Sequence, residues 1–375
     1  MPLLSVVVPV FKADRFLPQC LRSVTVSSTD SLEVIVVDDC SPDKSAEIAA
    51  EFSASDPRVR LVRTEQNGGS GAARNRGLAE ARGEYVWFVD ADDRVAPGAV
   101  DLILDRIRAG APDLLLVQHS RITSDGVVRT AGLPELAASA PVGTDSFTLE
   151  EWPGVLPYTH TPWTKVTRRT VLSDDGPTFP SGWYTDIPWT YGLLRRVEAI
   201  GLVLEECYEW HQRPDSSITL TQDRKHFDVF LQWERTWEDW EGVADAGLRR
   251  ALFSHMVWHL LIVMGNTDRI SNAQRRDFFH RAHELCEAHR PEGWDPRGLK
   301  QKLLAGRSYR TYEVFRRLWR VVRRLRDRGR TAHTGVPVQA DTAPAPKGSG
   351  EPQRLGKGTV NRSVRPAPGS GPEAP

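Results

Sequence analysis

Residues 66–77 read QNGGSGAARNRG and follow directly on RVRLVRTE (58–65), a run with the composition of a strand. A glycine-rich turn between strand and helix often cradles the phosphates of a dinucleotide. Gly69-x-Gly71 opens such a fingerprint, but Arg74 stands where its third glycine belongs. The turn also comes late, because the dinucleotide motif occupies the first strand–helix connection of its domain. Two strand–helix units precede it here. SVVVPV (5–10) and LEVIVVDD (32–39) are short Val- and Ile-rich runs, the pattern of strands covered on both faces. Helix-compatible segments follow each, near 14–26 and 43–55, and GEYVWFVDADD (83–93) supplies a fourth strand. Alternating strands and helices predict an α/β fold, a mostly parallel sheet with helices on both faces.

In such sheets ligands sit beyond the carboxyl ends of the strands. That places a candidate site among Pro9 to Lys12, Asp38 to Ser41, Asn67 to Arg74 and Asp90 to Asp93. Carboxylates crowded at one sheet edge repel unless a cation or hydrogen-bond donors join them. Ordinary loop solvation and helix caps, for which Ser41 or Asp43 would serve, account for some of these acids. The 90–93 cluster is harder to explain that way, since three carboxylates in four residues suit a hard divalent cation shared with a diphosphate. Arg74, near the start of the next helix, supplies a fixed positive charge to an anion there. The glycine-rich segment is then read as a loop allowing close backbone approach, not as the phosphate cradle itself.

The chain of 375 residues is long enough for a catalytic domain and an accessory one. A formal net charge of zero argues against a polyanion binder and gives no sign of nucleic acid as partner. Cys20, Cys40, Cys207 and Cys286 share no metal or redox spacing, which points to a reduced, cytoplasmic location. MPLLSVVVPVF lacks a basic leader region, carries Pro9 and fits a first strand better than a signal peptide. No apolar run approaches the ~20 residues that span a bilayer.

VVVPVFKADRFLPQCLRSV, VIVVDDCSPDKS, NGGSGAARNRGLAEARGEYVWFVDADD, PWTKVTRRTV and FPSGWYTDIPWTY, in that order, resemble the inverting family 2 glycosyltransferases over residues 3 to about 220. The likeness is closest to bacterial members that decorate cell-surface polymers such as wall teichoic acid. It implies a GT-A-type, Rossmann-like sheet, a nucleotide-diphospho-sugar donor (UDP-type by preference), a Mn²⁺ or Mg²⁺ ion, and a glycan or polyol-phosphate acceptor. By position in the motifs, Pro9 and the residues after it match the loop touching the nucleotide base, and Asp39 matches the acid that binds the base. Arg74 corresponds to the family's arginine near the diphosphate. Asp90 and Asp92 match a D-x-D whose first acid faces the ribose and whose second ligates the metal. Asp186 corresponds to the catalytic base, although the family's preceding glutamate is Thr185 here, and restoring it with Thr185→Glu is expected to be tolerated. Trp210 to Thr219 resembles a stretch that closes over the diphosphate, with Arg213 and Ser217 carried over and His211 in an arginine-like position.

The implied chemistry needs few groups. A single displacement at the anomeric carbon requires one carboxylate within reach of the acceptor hydroxyl. Charge developing on the departing diphosphate is stabilised by a cation and fixed positive side chains. No G-x-S-x-G, P-loop or H-E-x-x-H suggests another reaction.

Eleven of the twelve tryptophans lie outside the first strand–helix block. Aromatic faces stack on sugars, so Trp152, Trp163, Trp183 or Trp189 would suit an acceptor cleft, against the alternative of core packing. Trp163 and Trp183 sit in motif segments, and Lys165 beside them is either a phosphate contact or a surface charge. The boundaries read as a catalytic domain over 1–220, a helical accessory region over 221–306 and a basic amphipathic helix over 307–330. A disordered Pro-, Gly- and Ala-rich tail completes the chain over 331–375. The basic helix holds ten arginines against two acids, with Tyr312, Phe315, Leu318, Trp319, Val322 and Leu325 at helical steps. It suits either an anionic membrane surface on the inner face of the cell membrane or packing against the domain. His255 and His259, one turn apart, have no general-base glutamate between them and read as packed histidines. Two further readings stay open: an impaired relative that binds nucleotide-sugar or glycan without transfer, favoured by Thr185 and His211, and a dinucleotide oxidoreductase, weakened by Arg74.

Overall fold

The computed structural model describes residues 1–318 apart from 124–125, 130–131, 141–145, 159, 174, 213–220 and 267, with backbone alone at 127–129. β1 (Leu4–Val10) and β2 (Leu32–Asp38) are buried at every position, as their unbroken apolar composition requires. With β3 (Val59–Arg63) and β4 (Tyr85–Phe88) they form a parallel block in the order β3-β2-β1-β4. The crossovers are α1 (Leu17–Thr25), α2 (Ser45–Ser55) and α3 (Gly69–Glu80). In α1, Leu17, Cys20, Leu21 and Val24 make the buried face, and a proline in the first turn starts the helix without losing a hydrogen bond.

Beyond β4 the chain adds β5 (Arg94–Val95), α4 (Ala99–Gly110), β6 (Leu114–Thr123) and β7 (Gly126–Arg129). It continues through α5 (Leu133–Ala137), β8 (Lys165–Arg168), α6 (Asp186–Leu194) and β9 (Ile200–His211). Here the sheet becomes mixed. β8 joins β4 to β6 antiparallel to both, β9 runs parallel to β6, and the two-residue β5 pairs antiparallel with β9. β6 and β7 form an antiparallel hairpin.

Each face of the sheet carries a core. On one, Val6, Val8 and Trp87 meet Leu17 and Leu21 of α1 and Ile103 and Leu104 of α4. On the other, Val7, Ile35 and Phe88 meet Ala73 of α3 and Trp189 of α6. That second core continues into α7 (Asp228–Asp239), α8 (Ala246–Gly265) and α9 (Arg275–His289), which contribute Trp233, Leu252 and Phe278. α8 starts at Asp245, whose carboxylate accepts from Leu248 N at 2.6 Å. α10 (Leu299–Ala305) and a helix over 309–318 follow.

The start of the basic helix is docked, not free. Tyr312 is fully buried with its ring 5.3 Å from that of Phe279, and Arg316 is held by Glu313 at 2.6 Å. Val314 and Leu318 point to solvent. The first apolar position of the expected stripe therefore serves α9. Trp319, Val322, Leu325 and the tail lie outside the described residues. Among the described residues no helix is long and apolar enough to cross a membrane.

Candidate active site at the carboxyl edge of the sheet

The parallel strands end in the loops expected to hold a ligand. Pro9 is buried inside β1, and Phe11 and Lys12 emerge beyond it. The loops after β1 and β2 are tied together: Lys12 N donates to Ser41 Oγ at 3.4 Å, Ala13 N to Ser45 Oγ at 3.0 Å and Asp14 N to Asp43 Oδ2 at 3.2 Å. Lys12 and Cys40 both take positive φ, 53° and 57°. Non-glycine residues held there mark edges that the surroundings over-determine, as functional sites often are.

Asp39 follows β2 directly. It is buried, and its carboxylate accepts from Gly68 N at 3.0 and 3.1 Å, Gly69 N at 2.7 Å and Thr64 Oγ1 at 3.0 Å. Gly68, the cap residue of α3, has no side chain to satisfy the free amides of the first turn. An acid from the end of β2 does it instead, at the end of the helix that favours negative charge. Asp39 thus caps α3, and the glycine-rich segment expected as a loop is that helix's first turn.

The acidic cluster after β4 divides by burial. Arg74, buried in α3, donates from Nη2 to Asp90 Oδ1 at 2.6 Å, with its guanidinium over the Phe179 ring. Asp92 is exposed. Asp93 is buried and accepts from Tyr208 Oη at 2.7 Å and His211 N at 2.8 Å, which fastens β9 beneath the loop. Burial, with the adjacent charges of Asp92 and Asp90, pushes its carboxyl well above the usual range. The position left open by the motif is thus an anchor. His211 comes to the same loop through its backbone, and its ring lies 3.3 Å from Glu209 Oε2. Arg213 and Ser217 lie outside the described residues.

Asp186 is the first residue of α6, with its carboxylate 24 % exposed. Burial raises it to about 6, against the lowering effect of the Arg74 and Lys165 charges, while Asp90 adds to the rise. The structure thus brings Asp186 into one site with Arg74 and Asp90, residues about a hundred positions away. At neutral pH the group is ionised yet more basic than an ordinary aspartate, which suits a general base. Gly71 makes the approach possible. A Cβ there would come within 3.1 Å of both Phe179 Cβ and Thr185 Oγ1. Thr185 is itself buried against α3.

The acceptor candidates separate. Trp163 is buried and stacked on Tyr208 at 4.5 Å, so no ring face is left for a sugar. Trp152 and Trp189 are likewise core. Lys165 is neither a surface charge nor exposed to a phosphate. It is buried, donates from Nζ to Thr161 O at 3.0 Å and Thr164 Oγ1 at 3.1 Å, and burial lowers it to about 7 although Asp186 pulls it up. Trp183 is half-buried, three residues before Asp186, with its ring 4.9 Å from that of His226. The motifs gave no signal for the histidines around Asp186. His160 Nε2 lies 3.6 Å from Asp186 Oδ2, and the His160 ring rests 4.8 Å from that of His259 and 6.1 Å from that of His255. Burial, the largest influence, lowers His160 and His255 to about 3 and His259 well below its usual range, so the three are neutral.

The residues fit a hard cation only in part of its shell. Among the described residues no group of three or more His, Cys, Asp or Glu is arranged to hold a metal. Asp90 and the exposed Asp92 offer oxygen ligands at the cleft. Mg²⁺ and its like are commonly held this way, by one or two carboxylates with water and substrate phosphates completing the shell.

A doubly wound sheet with a carboxylate-lined carboxyl edge defines a GT-A scaffold, and comparison with known proteins agrees. Residues 5–162 match the model of Glycosyl transferase family 2. "Uncharacterized glycosyltransferase EpsJ" of Bacillus subtilis is 28% identical over 239 residues, 62% of this chain and 67% of that protein. "Glycosyltransferase GlyG" of Streptococcus pneumoniae and "Uncharacterized glycosyltransferase YibD" of Escherichia coli are each 34% identical. The matches span 30% and 50% of this chain but only 38% and 55% of those relatives. Staphylococcus aureus TarS 1–349 in complex with UDP-GlcNAc superposes with a TM-score of 0.67 at 20% identity, covering 85% of this chain and 92% of that one.

Proposed function

We propose that the protein transfers a sugar, with inversion, from a nucleotide-diphospho-sugar to a hydroxyl of a cell-surface glycan or polyol-phosphate. The observation that carries this reading is the convergence of Asp186 with the Arg74–Asp90 pair, joining a base of raised affinity for protons to an anion-binding edge. Asp186 accepts the proton of the attacking hydroxyl, and Arg74 offers fixed charge to the departing diphosphate. Asp92, with Asp90 beside it, would hold Mn²⁺ or Mg²⁺, which would supply further positive charge at the leaving group. Phe11, Lys12 and the loop after Asp39 form the base-proximal wall, and Trp183 lines the acceptor side. The fold shared with a UDP-GlcNAc complex supports a UDP-sugar as donor.

A panel of nucleotide sugars with Mn²⁺ and no acceptor tests the reading. Slow release of nucleoside diphosphate from one donor is expected. Saturable binding of a donor with no release under any condition would favour the binding-only alternative.

A further inference from the structure

The segment that delivers Asp186 is fastened to the helical accessory region at three of the five residues before it. Ser181 O accepts from Gln232 Nε2 at 3.0 Å. Trp183 N donates to Asp228 Oδ2 at 2.9 Å. Tyr184 Oη lies 2.6 Å from His226 Nδ1. The three partners belong to α7 and the 3-10 turn Arg224–Phe227 before it, and His226 and Gln232 are fully buried. Gly182 sits between two of these ties at φ 100°, where a Cβ would be 2.8 Å from Asp228 Oδ2.

Hydrogen-bond roles follow from the partners. His226 Nε2 lies 2.8 Å from Thr221 O, which can only accept, so Nε2 carries the proton. Burial, as the largest influence, lowers this histidine below its usual range, leaving it neutral with Nδ1 as acceptor. Tyr184 Oη is therefore the donor. Tyr184 also adopts φ 59°, a left-handed conformation that a bulky residue takes only when its surroundings impose it. Ile187 N donates back to Tyr184 O at 3.1 Å, so this turn directly precedes the first turn of α6 and aims Asp186 at the cleft.

We propose that His226, acting through Tyr184, is a positioning residue that sets the reach of Asp186, so that the accessory region forms part of the catalytic apparatus. The inference rests on Asp186 being the base. Tyr184 and His226 do no chemistry themselves; they fix where the carboxylate stands relative to an incoming hydroxyl, and misplacement of a reacting group by about an ångström is enough to slow a displacement.

Tyr184→Phe removes one hydroxyl and keeps the ring. With the donor that wild type turns over, it is expected to lower kcat roughly tenfold or more while affinity for the matching nucleoside diphosphate and the melting temperature hold. His226→Ala should lower kcat similarly, and the double variant should be no slower than the slower single one. Unchanged kcat in Tyr184→Phe, or a fall in nucleotide affinity and melting temperature in step with kcat, overturns the proposal. An Asp186→Asn variant that retains full activity would instead overturn the assignment of the base, which separates the two failures.

Discussion

Replacing Asp186 by Asn should abolish most transfer and at the same time stabilise the protein. Burial raises this carboxyl from 3.8 to about 6. A shift of about two units corresponds to about 3 kcal/mol, at ~1.36 kcal/mol per unit. The sign is fixed by linkage. A carboxyl whose folded value lies above its unfolded one contributes stability in its protonated form below about pH 4, and loses it as pH rises through about 6. At pH 7.5 the ionised group is thus a standing cost, which a neutral isostere removes. Asp186→Asn is expected to melt a few degrees above wild type at pH 7.5, taking about 1–2 °C per kcal/mol for a chain of this size. At about pH 3, where the carboxyl is protonated in the folded and the unfolded chain alike, the two should melt together. Turnover should fall by about 10²-fold or more with donor affinity kept, and the wild-type rate should decline below about pH 6. Paired thermal melts at the two pH values, read beside a pH–rate profile, decide the matter. An Asn variant that melts below wild type at pH 7.5, or a gap that is equal at both pH values, refutes the reasoning.

Other consequences follow from the same contacts. Asp92→Asn should remove most activity and most of the metal-dependent gain in donor affinity, measured by calorimetry with and without Mn²⁺; normal turnover without added metal would remove Asp92 from the site. Asp39→Ala strips the cap from α3 and should lower stability by about 1–2 kcal/mol in denaturant titrations, an effect that donor in excess does not restore. Truncation after Gly306 exposes the seat of Tyr312 on Phe279 and should cost about 1.5–3 kcal/mol, visible as a lower denaturation midpoint. If the truncated chain instead keeps its stability and loses only sedimentation with anionic vesicles at low salt, the helix acts at a membrane and its docking is incidental.

The fold was legible where burial writes itself into composition. β1 and β2 are apolar at nearly every position because helices cover both faces, and such runs have few other readings. The antiparallel half was not legible. β8 is four residues, KVTR, and β5 is two, too short for periodicity, and their direction is fixed by partners about 80 and 115 residues distant. The site shows the same division. Asp90, Asp92 and Arg74 stand in compact local motifs, so neighbours in sequence announce them. The capping contacts of Asp39 were not legible because its partners, the amides of Gly68 and Gly69, begin a helix some thirty residues on, and nothing local marks a capping acid. Trp163 and Lys165 were misjudged for the same reason: Tyr208 covers one, and burial beside Asp186 silences the other.

What a sequence motif does not carry is the electrostatic division of labour among like groups. Asp93 and Asp186 are both aspartates pushed upward by burial, yet they end in different roles. Among the described residues no cation acts on Asp93, and it accepts two hydrogen bonds, so it is committed to holding β9. Asp186 is pulled back by Arg74 and Lys165, and a quarter of its surface stays open to an incoming hydroxyl. Arg74 is the shared element, because its guanidinium is bonded to Asp90 while its charge reaches Asp186. A substitution at Arg74 therefore acts on both halves of the site. Arg74→Gln should weaken donor affinity and shift the acid limb of the rate profile to higher pH together, since the lowering influence on Asp186 is lost. A variant that changed donor affinity and left the acid limb in place would show that the two carboxylates are not coupled through this arginine.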